Sequence, residues 1–273
     1  STLRRRSRVA RAPRRAAPPQ HTMSELVVSI GCWYAFWFAC YKLSHVANGI
    51  LFETYGALKP ATQAYWCASS VSSLHAIVIV YLSFTAGVEL EVWTRPDVFF
   101  ATSARSGLTN RVFVGYLLCD LSCSLYYNAA WSGWVENLVH HAAGIWCWST
   151  LERDQFGHIF LLTALLAEGT TPFVNNRWFL AQSGMKDGRL YFYNGLLMTG
   201  LWFLLRVVLF AWLGTRLVAM RADLAKITAY QSVVLYVNYA IGYALQLFWF
   251  RKILKGALKA LRGGSTKEAA KAA

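Results

Sequence analysis

The stretch YWCASSVSSLHAIVIVYLSFTA, residues 65–86, decides the fold class because its 22 residues include no Asp, Glu, Lys or Arg. A helix needs about 20 predominantly apolar residues to cross the hydrocarbon layer of a bilayer. The whole 273-residue chain is 56% hydrophobic and only 15% charged, whereas about 25% of residues are charged in a typical soluble domain. The sequence therefore predicts an all-α polytopic membrane protein and excludes a soluble domain, a disordered chain and a small disulfide scaffold.

Six further apolar stretches accompany residues 65–86, and together they predict a bundle of about seven transmembrane helices. The predicted spans are residues 26–41, 65–86, 111–131, 134–151, 156–173, 196–213 and 227–250. Six spans are the alternative, because an even number would place both basic ends of the chain on one side of the membrane. We divide the chain into a basic N-terminal arm (1–24), a transmembrane domain (25–255) and a basic C-terminal tail (256–273).

The net charge of +14 is concentrated at the two ends of the chain. Residues 1–22 contain seven Arg and no acid, and residues 251–273 contain seven basic residues and one acid, so +7 and +6 leave +1 for residues 23–250. Basic segments beside a membrane bind anionic lipid head groups, and no nucleic-acid recognition motif accompanies them. We expect lipid contacts and no nucleic-acid binding, with the arm 1–22 as a docking segment for a protein partner.

Several ionisable side chains fall inside the predicted spans, where each is costly unless it faces a cavity or the interior of the bundle. We predict that they converge on one lipid-sized cavity, and they are His75, Asp120, His140, His141, Glu168 and Arg206. Arg206 lies in the middle of its span and should pair with Asp120 or Glu168, because a buried guanidinium does not deprotonate.

The fourth predicted span carries Glu136, His140 and His141, with Glu136 and His140 one helical turn apart on one face. A carboxylate that holds one imidazole nitrogen would orient the other nitrogen as a base. Metal ligation is the alternative at this spacing, but histidine-box di-iron sites need more ligands than the chain has, so we expect no metal. In the second span, Ser72 and His75 share a face and serve either helix packing or ligand binding.

The fifth predicted span contains Glu168, Thr171 and Pro172. Pro172 removes a backbone donor, which predicts a kink beside Glu168. A broken helix that carries a carboxylate either builds a pocket or simply bends the helix.

Four motifs, in this order, resemble the TLC family over roughly residues 60–255. They are Ser72-Ser73-Leu74-His75, then Gly115-Tyr116 with Asp120-Leu121, then His140-His141, and finally Glu168, Thr171-Pro172-Phe173, Asn175 and Arg177-Trp178. The chain is most similar to the small TLC proteins of the transmembrane-protein-56-like branch. The resemblance implies a helical membrane bundle with a lipid-related role.

Ceramide synthases belong to the same family, and the resemblance implies site residues for this chain. In those enzymes paired histidines lie in a chamber where acyl-CoA supplies a fatty acyl group to a sphingoid amine. The implied catalytic residues are His140, His141 and Asp120, and the implied substrate-binding residues are His75, Ser72, Glu168, Thr171, Asn175, Arg177 and Arg206. The further His-Asp that follows the histidine pair in ceramide synthases is missing here.

Three hypotheses of function follow. We favour a membrane protein that binds lipid or acyl chains in its cavity and acts in membrane lipid homeostasis. The second hypothesis is an acyl-CoA-dependent N-acyltransferase with acyl-CoA as co-substrate and no other cofactor. The third is a lipid-holding accessory subunit of an organellar membrane complex. The family implies the endoplasmic reticulum or another endomembrane, whereas the Arg-rich arm indicates a mitochondrial or plastid membrane.

Overall fold

The protein is an all-α bundle in a computed structural model that describes residues 22–127, 130–131 and 133–272, with side chains as far as Arg262. Within these residues the chain forms helices joined by short connections and no strand. The α-helices are α1 (Met23–Leu51), α2 (Glu53–Gly56), α3 (Pro60–Glu89), α4 (Ala104–Tyr127), α5 (Trp134–Asp154), α6 (His158–Leu165), α7 (Thr171–Gln182), α8 (Arg189–Trp202), α9 (Leu209–Ala219), α10 (Arg221–Leu224) and α11 (Ala229–Ala272). A 3₁₀ turn (Leu166–Thr170) joins α6 to α7, and a π-helical segment (Phe203–Val208) joins α8 to α9.

Each of the seven predicted spans corresponds to a helical rod. Four rods are long and apolar enough to cross a membrane, and they are Met23–Leu51, Pro60–Glu89, Arg189–Ala219 and Ala229–Arg262. The other three rods are α4, α5 and the pair α6–α7, which carry most of the ionisable residues that were predicted to lie at membrane depth. The all-α membrane bundle is confirmed, and the number of seven spans stays a prediction.

The ends of the first and last helices extend beyond the predicted spans. α1 begins at Met23, inside the predicted arm, because Thr22 and Glu25 form a capping box: the Thr22 hydroxyl accepts from the Glu25 N–H, and the Glu25 carboxylate accepts from the Thr22 N–H. α11 continues through the predicted tail to Ala272, since this segment is rich in Ala, Leu and Lys, which favour helix. Residues 1–21 of the arm lie outside the described residues.

Large apolar side chains cover the outside of the bundle. Ile50 in α1 is 79% exposed, and Ile77 and Tyr81 in α3 are 64% and 67% exposed. Such a surface is costly in water and suits a hydrocarbon environment. The opposite face of α3 buries Ser69 and His75, so that the polar side of this helix is turned to the interior of an integral membrane protein.

A buried polar cluster ties α4 to α5 and α6 away from the outer surface. Arg111 donates to the Glu152 carboxylate over 2.5 Å, and the Ser106 hydroxyl lies 2.8 Å from Nδ1 of His158. Ser106 and His158 are both completely buried. Because a buried charge without a partner is strongly destabilising, the ion pair fixes the relative position of these helices.

α4 lies at the centre of the bundle and packs closely against α1 at Gly115. A Cβ atom at Gly115 would lie 2.5 Å from Cβ of Trp33 and 2.9 Å from the backbone nitrogen of Tyr34. Backbone atoms of a packed helix cannot move aside cheaply, so this position requires glycine. Gly115 belongs to one of the family-like motifs, and its role there is helix packing.

We expect Gly115→Ala to lower the free energy of unfolding by about 1–3 kcal/mol, the usual cost of overpacking, although alanine favours helix more than glycine does. The measurement is the apparent Tm of the protein purified in detergent. Gly31→Ala in α1 is the matched control, because a Cβ there meets nothing within 4 Å. An equal Tm for both variants would show that the contact between α1 and α4 tolerates a methyl group.

Candidate functional site

The interior of the bundle holds a cavity of about 410 Å³, which we name the polar chamber. Its walls come from α3, α4, α5, α7, α11 and the segments around Glu168 and Arg206. Eight of the ten predicted site residues line it, and they are Ser72, Asp120, His140, His141, Glu168, Thr171, Asn175 and Arg206. The expected convergence of polar residues from distant helices on one cavity is thus observed for most of them.

The ion pair between Glu168 and Arg206 forms one wall of the polar chamber. Nη2 of Arg206 lies 3.3 Å from Oε1 of Glu168, and Nε donates to the Thr170 hydroxyl over 2.6 Å. Nη1 donates to the Gln246 side chain of α11 over 3.2 Å. Of the two carboxylates expected to pair with Arg206, the structure places Glu168 in that position.

Both partners of this ion pair lie where the backbone departs from α-helical geometry. Glu168 is in the 3₁₀ turn, and Pro172 stands at the start of α7 directly after it, as the missing N–H of proline favours. Arg206 is in the π-helical segment. Single-turn π segments inside α-helices occur frequently at functional sites, and here the departure from regular helix accompanies the pairing of the two charges.

A second pair, Asp120 and His141, forms the facing part of the wall. Nε2 of His141 lies 3.1 Å from Oδ2 of Asp120, and Nδ1 lies 2.9 Å from the backbone oxygen of Asn137. A carbonyl oxygen only accepts, so Nδ1 must carry a proton. Nε2 then faces the carboxylate either as the second N–H of an imidazolium or as the acceptor of a proton on Asp120. In both states the two ring nitrogens of His141 are engaged.

His140 differs from His141 because its ring makes no hydrogen bond to any residue that the structure describes. The ring packs edge-on against Trp249, with 5.7 Å between ring centroids, and it lines the polar chamber. The expected contact between Glu136 and His140 is wrong: Glu136 instead lies 3.6 Å from Nζ of Lys252 on α11. His140 is therefore the histidine whose nitrogens are free to meet a ligand.

His75 and Arg177, the other two predicted site residues, lie among packed side chains. The His75 ring stacks on Tyr116 with 3.7 Å between centroids and is 1% exposed. The Arg177 guanidinium lies 3.9 Å from the ring centroid of Tyr191 and donates to its backbone oxygen. For His75, this placement agrees with the helix-packing alternative that its position on α3 left open.

Several residues of the chamber wall were not predicted. Asn137 stands one turn before His141 and donates to Ser124 over 2.9 Å, and Lys252 lines the chamber beside Trp249. Lys252 lies just after the last uncharged span, and Asn137 lies one helical turn from His141, so helical periodicity could have indicated both residues. The aromatic residues Tyr65, Trp131, Trp134 and Trp202 also line the chamber, but no sequence pattern separates them from other aromatic residues in the spans. Among the described residues, no three His, Cys, Asp or Glu side chains are close enough to hold a metal ion.

We expect Arg206→Leu to lower stability by about 3–5 kcal/mol, because it leaves Glu168 as an uncompensated buried charge. Arg206→Leu combined with Glu168→Gln should recover part of that loss. Arg206→Leu combined with Asp120→Asn is the matched control, since Asp120 pairs with His141 instead, and it should recover nothing. Apparent Tm values of the single and double variants provide the measurement, and equal recovery in both doubles would contradict the pairing.

Comparison with known proteins identifies the family of this bundle. The family model for the TLC domain matches residues 65–255. TLC domain-containing protein 4-B of Danio rerio is 26% identical over 88% of this chain and 92% of its own length. TLC domain-containing protein 4 of Homo sapiens is 25% identical over 67% of this chain and 70% of its own length. The topoisomerase I damage affected protein 4 of Saccharomyces cerevisiae is 25% identical over 72% of each chain. No solved structure matches the chain. With a polar chamber inside an all-α membrane bundle and a family model that covers most of its length, the chain belongs to the TLC domain family.

Proposed function

We propose that the protein binds a lipid or acyl chain in the polar chamber and acts in membrane lipid homeostasis. The observation that carries this proposal is the cavity of about 410 Å³ lined by eight predicted polar residues within an apolar bundle. Ligand pockets commonly measure about 300–1,000 Å³. Polar groups at membrane depth normally face a ligand or ion path, and the molecules available to a cavity inside a bilayer are lipids.

The charges in the chamber favour a lipid with a hydrogen-bonding head group. Glu168 is balanced by Arg206, and Asp120 is paired with His141, so the two carboxylates are not free to attract a cation. What remains for a ligand is a set of polar groups such as the free imidazole of His140 and the hydroxyl of Ser72. The proposed ligand therefore has a neutral or zwitterionic head group that donates and accepts hydrogen bonds.

Ser72→Trp should fill part of the chamber and reduce bound lipid at least tenfold. Native mass spectrometry of protein purified in mild detergent measures the lipid that stays bound. Ile77→Trp is the matched control on the same helix, because Ile77 is 64% exposed on the outer face. The control should keep the lipid content of the wild type. Loss of lipid in both variants, or in neither, would contradict binding in the chamber.

An acyl-CoA-dependent N-acyltransferase is the second proposal, and the free imidazole of His140 favours it. In this reaction the amine nitrogen attacks the thioester carbonyl, a C–N bond forms and the C–S bond breaks. His140 would take the proton from the amine, and the coenzyme A thiolate would leave. His141 cannot serve as this base in the geometry described, because both of its nitrogens are engaged.

If the protein is an acyltransferase, we expect His140→Gln to reduce the transfer of palmitate from palmitoyl-CoA to a long-chain amine at least a hundredfold. His141→Gln should mainly lower the apparent Tm, because it disturbs the contact with Asp120. The assay uses purified protein in lipid nanodiscs and detects the N-acyl product. Absence of product with the wild type would leave lipid binding as the function and contradict the enzyme.

The protein is an integral membrane protein, and the compartment is also a proposal. Membership of the TLC family supports the endoplasmic reticulum or another endomembrane. A tagged copy followed by microscopy tests this location against a mitochondrial or plastid membrane.

A further inference from the structure

A second cavity adjoins the polar chamber and has an apolar wall. We name it the apolar cavity. It lies between α5, α6, α9 and α11 and has a volume of about 90 Å³, against about 410 Å³ for the chamber. Phe113, His140, Glu168 and Arg206 line both cavities. The polar side chains of this shared wall stand at one end, and side chains such as Leu213, Leu217 and Leu235 line the rest.

The shape of the apolar cavity is long and narrow. On α11 its wall runs from Leu235 to Gln246, which is about 16 Å at the helical rise of 1.5 Å per residue. Gln246 stands at the polar end, where its side chain accepts from Arg206. A narrow apolar space that begins at a polar wall matches one alkyl chain that is attached to a head group, and it is too small for two chains side by side.

We propose that the apolar cavity holds the single alkyl chain of the lipid whose head group occupies the polar chamber, and that Gly242 sets the chain length. This inference rests on the proposed lipid binding and specifies the class of ligand as a single-chain lipid. Gly242 lines the apolar cavity one helical turn from Gln246, about 6 Å from the polar end. It lies on the wall beside which the chain would pass.

The space at Gly242 shows why this residue is suited to control chain length. A Cβ at Gly242 meets only Cε1 of Phe210 within 4 Å, at 3.8 Å, which is an ordinary contact. A larger side chain therefore extends into the cavity without a clash against backbone. One methylene more or less in an apolar pocket changes discrimination by about 10- to 200-fold, so a leucine here blocks the part of the cavity that a long chain needs.

The test is a competition among single-chain lipids for the intact protein in detergent. An equimolar mixture of decanoyl, myristoyl, palmitoyl and stearoyl lysophosphatidylcholine is added, and native mass spectrometry reports which lipids bind. We expect the wild type to favour the long chains and Gly242→Leu to shift the ratio of short to long chains at least about tenfold. Gly242→Ala should give a smaller shift in the same direction, and it retains the test if the leucine variant does not fold.

Matched controls separate this inference from the proposed function. Gly256→Leu changes the same helix where a Cβ meets nothing within 4 Å, and its chain preference should equal that of the wild type. Parallel mixtures contain the corresponding free fatty acids and dipalmitoyl phosphatidylcholine. Bound lipid with unchanged chain preference in both Gly242 variants, or preferential binding of the two-chain lipid, overturns this inference and leaves lipid binding intact. A wild type that binds none of the lipids overturns both.

Discussion

The cost of placing the Arg206 guanidinium inside an apolar bundle is the constraint on which the site depends. This group does not lose its proton, so the fold must surround it with acceptors. The 3₁₀ turn supplies Glu168 and Thr170, and α11 supplies Gln246. Three segments that are distant in the sequence are thereby held at fixed positions around one cation. The same contacts place the guanidinium between the polar chamber and the apolar cavity, where a ligand can meet it.

Buried polar groups in this protein occur in two kinds of environment. The cluster of Arg111, Glu152, Ser106 and His158 resembles the chamber in its chemistry, with an ion pair and a histidine–hydroxyl contact. Ser106 and His158 are completely buried, and none of the four lines the polar chamber or the apolar cavity. The cluster therefore connects helices, whereas the pairs Asp120–His141 and Glu168–Arg206 connect helices and also line a cavity. Proximity to open space, more than residue type, separates the two roles.

The sequence predicts the parts of this structure that follow from local pattern and from the cost of burying charge. Apolar runs of sufficient length indicate the helical rods, and the cost of a lone guanidinium predicts that Arg206 pairs with Asp120 or Glu168. The pairing of Glu136 with His140 is wrong because helical spacing shows only that two residues share a face. Glu136 pairs with Lys252 of α11, and that contact depends on how α5 packs against a distant helix. The aromatic surroundings of His75 likewise arise only from tertiary packing.

The bilayer also determines how such a cavity can select its ligand. A lipid chain is already in hydrocarbon before it binds, so moving it into an apolar cavity gains little from the hydrophobic effect. Selectivity must then come from the fit of the chain and from hydrogen bonds to the head group, which lacks comparable fixed partners in the hydrocarbon layer. The structure supplies both: a narrow wall at Gly242 and Phe210 for fit, and free polar groups such as His140 in the chamber. Because the charged groups of the chamber satisfy each other, its neutral donors and acceptors are the groups that distinguish one lipid from another.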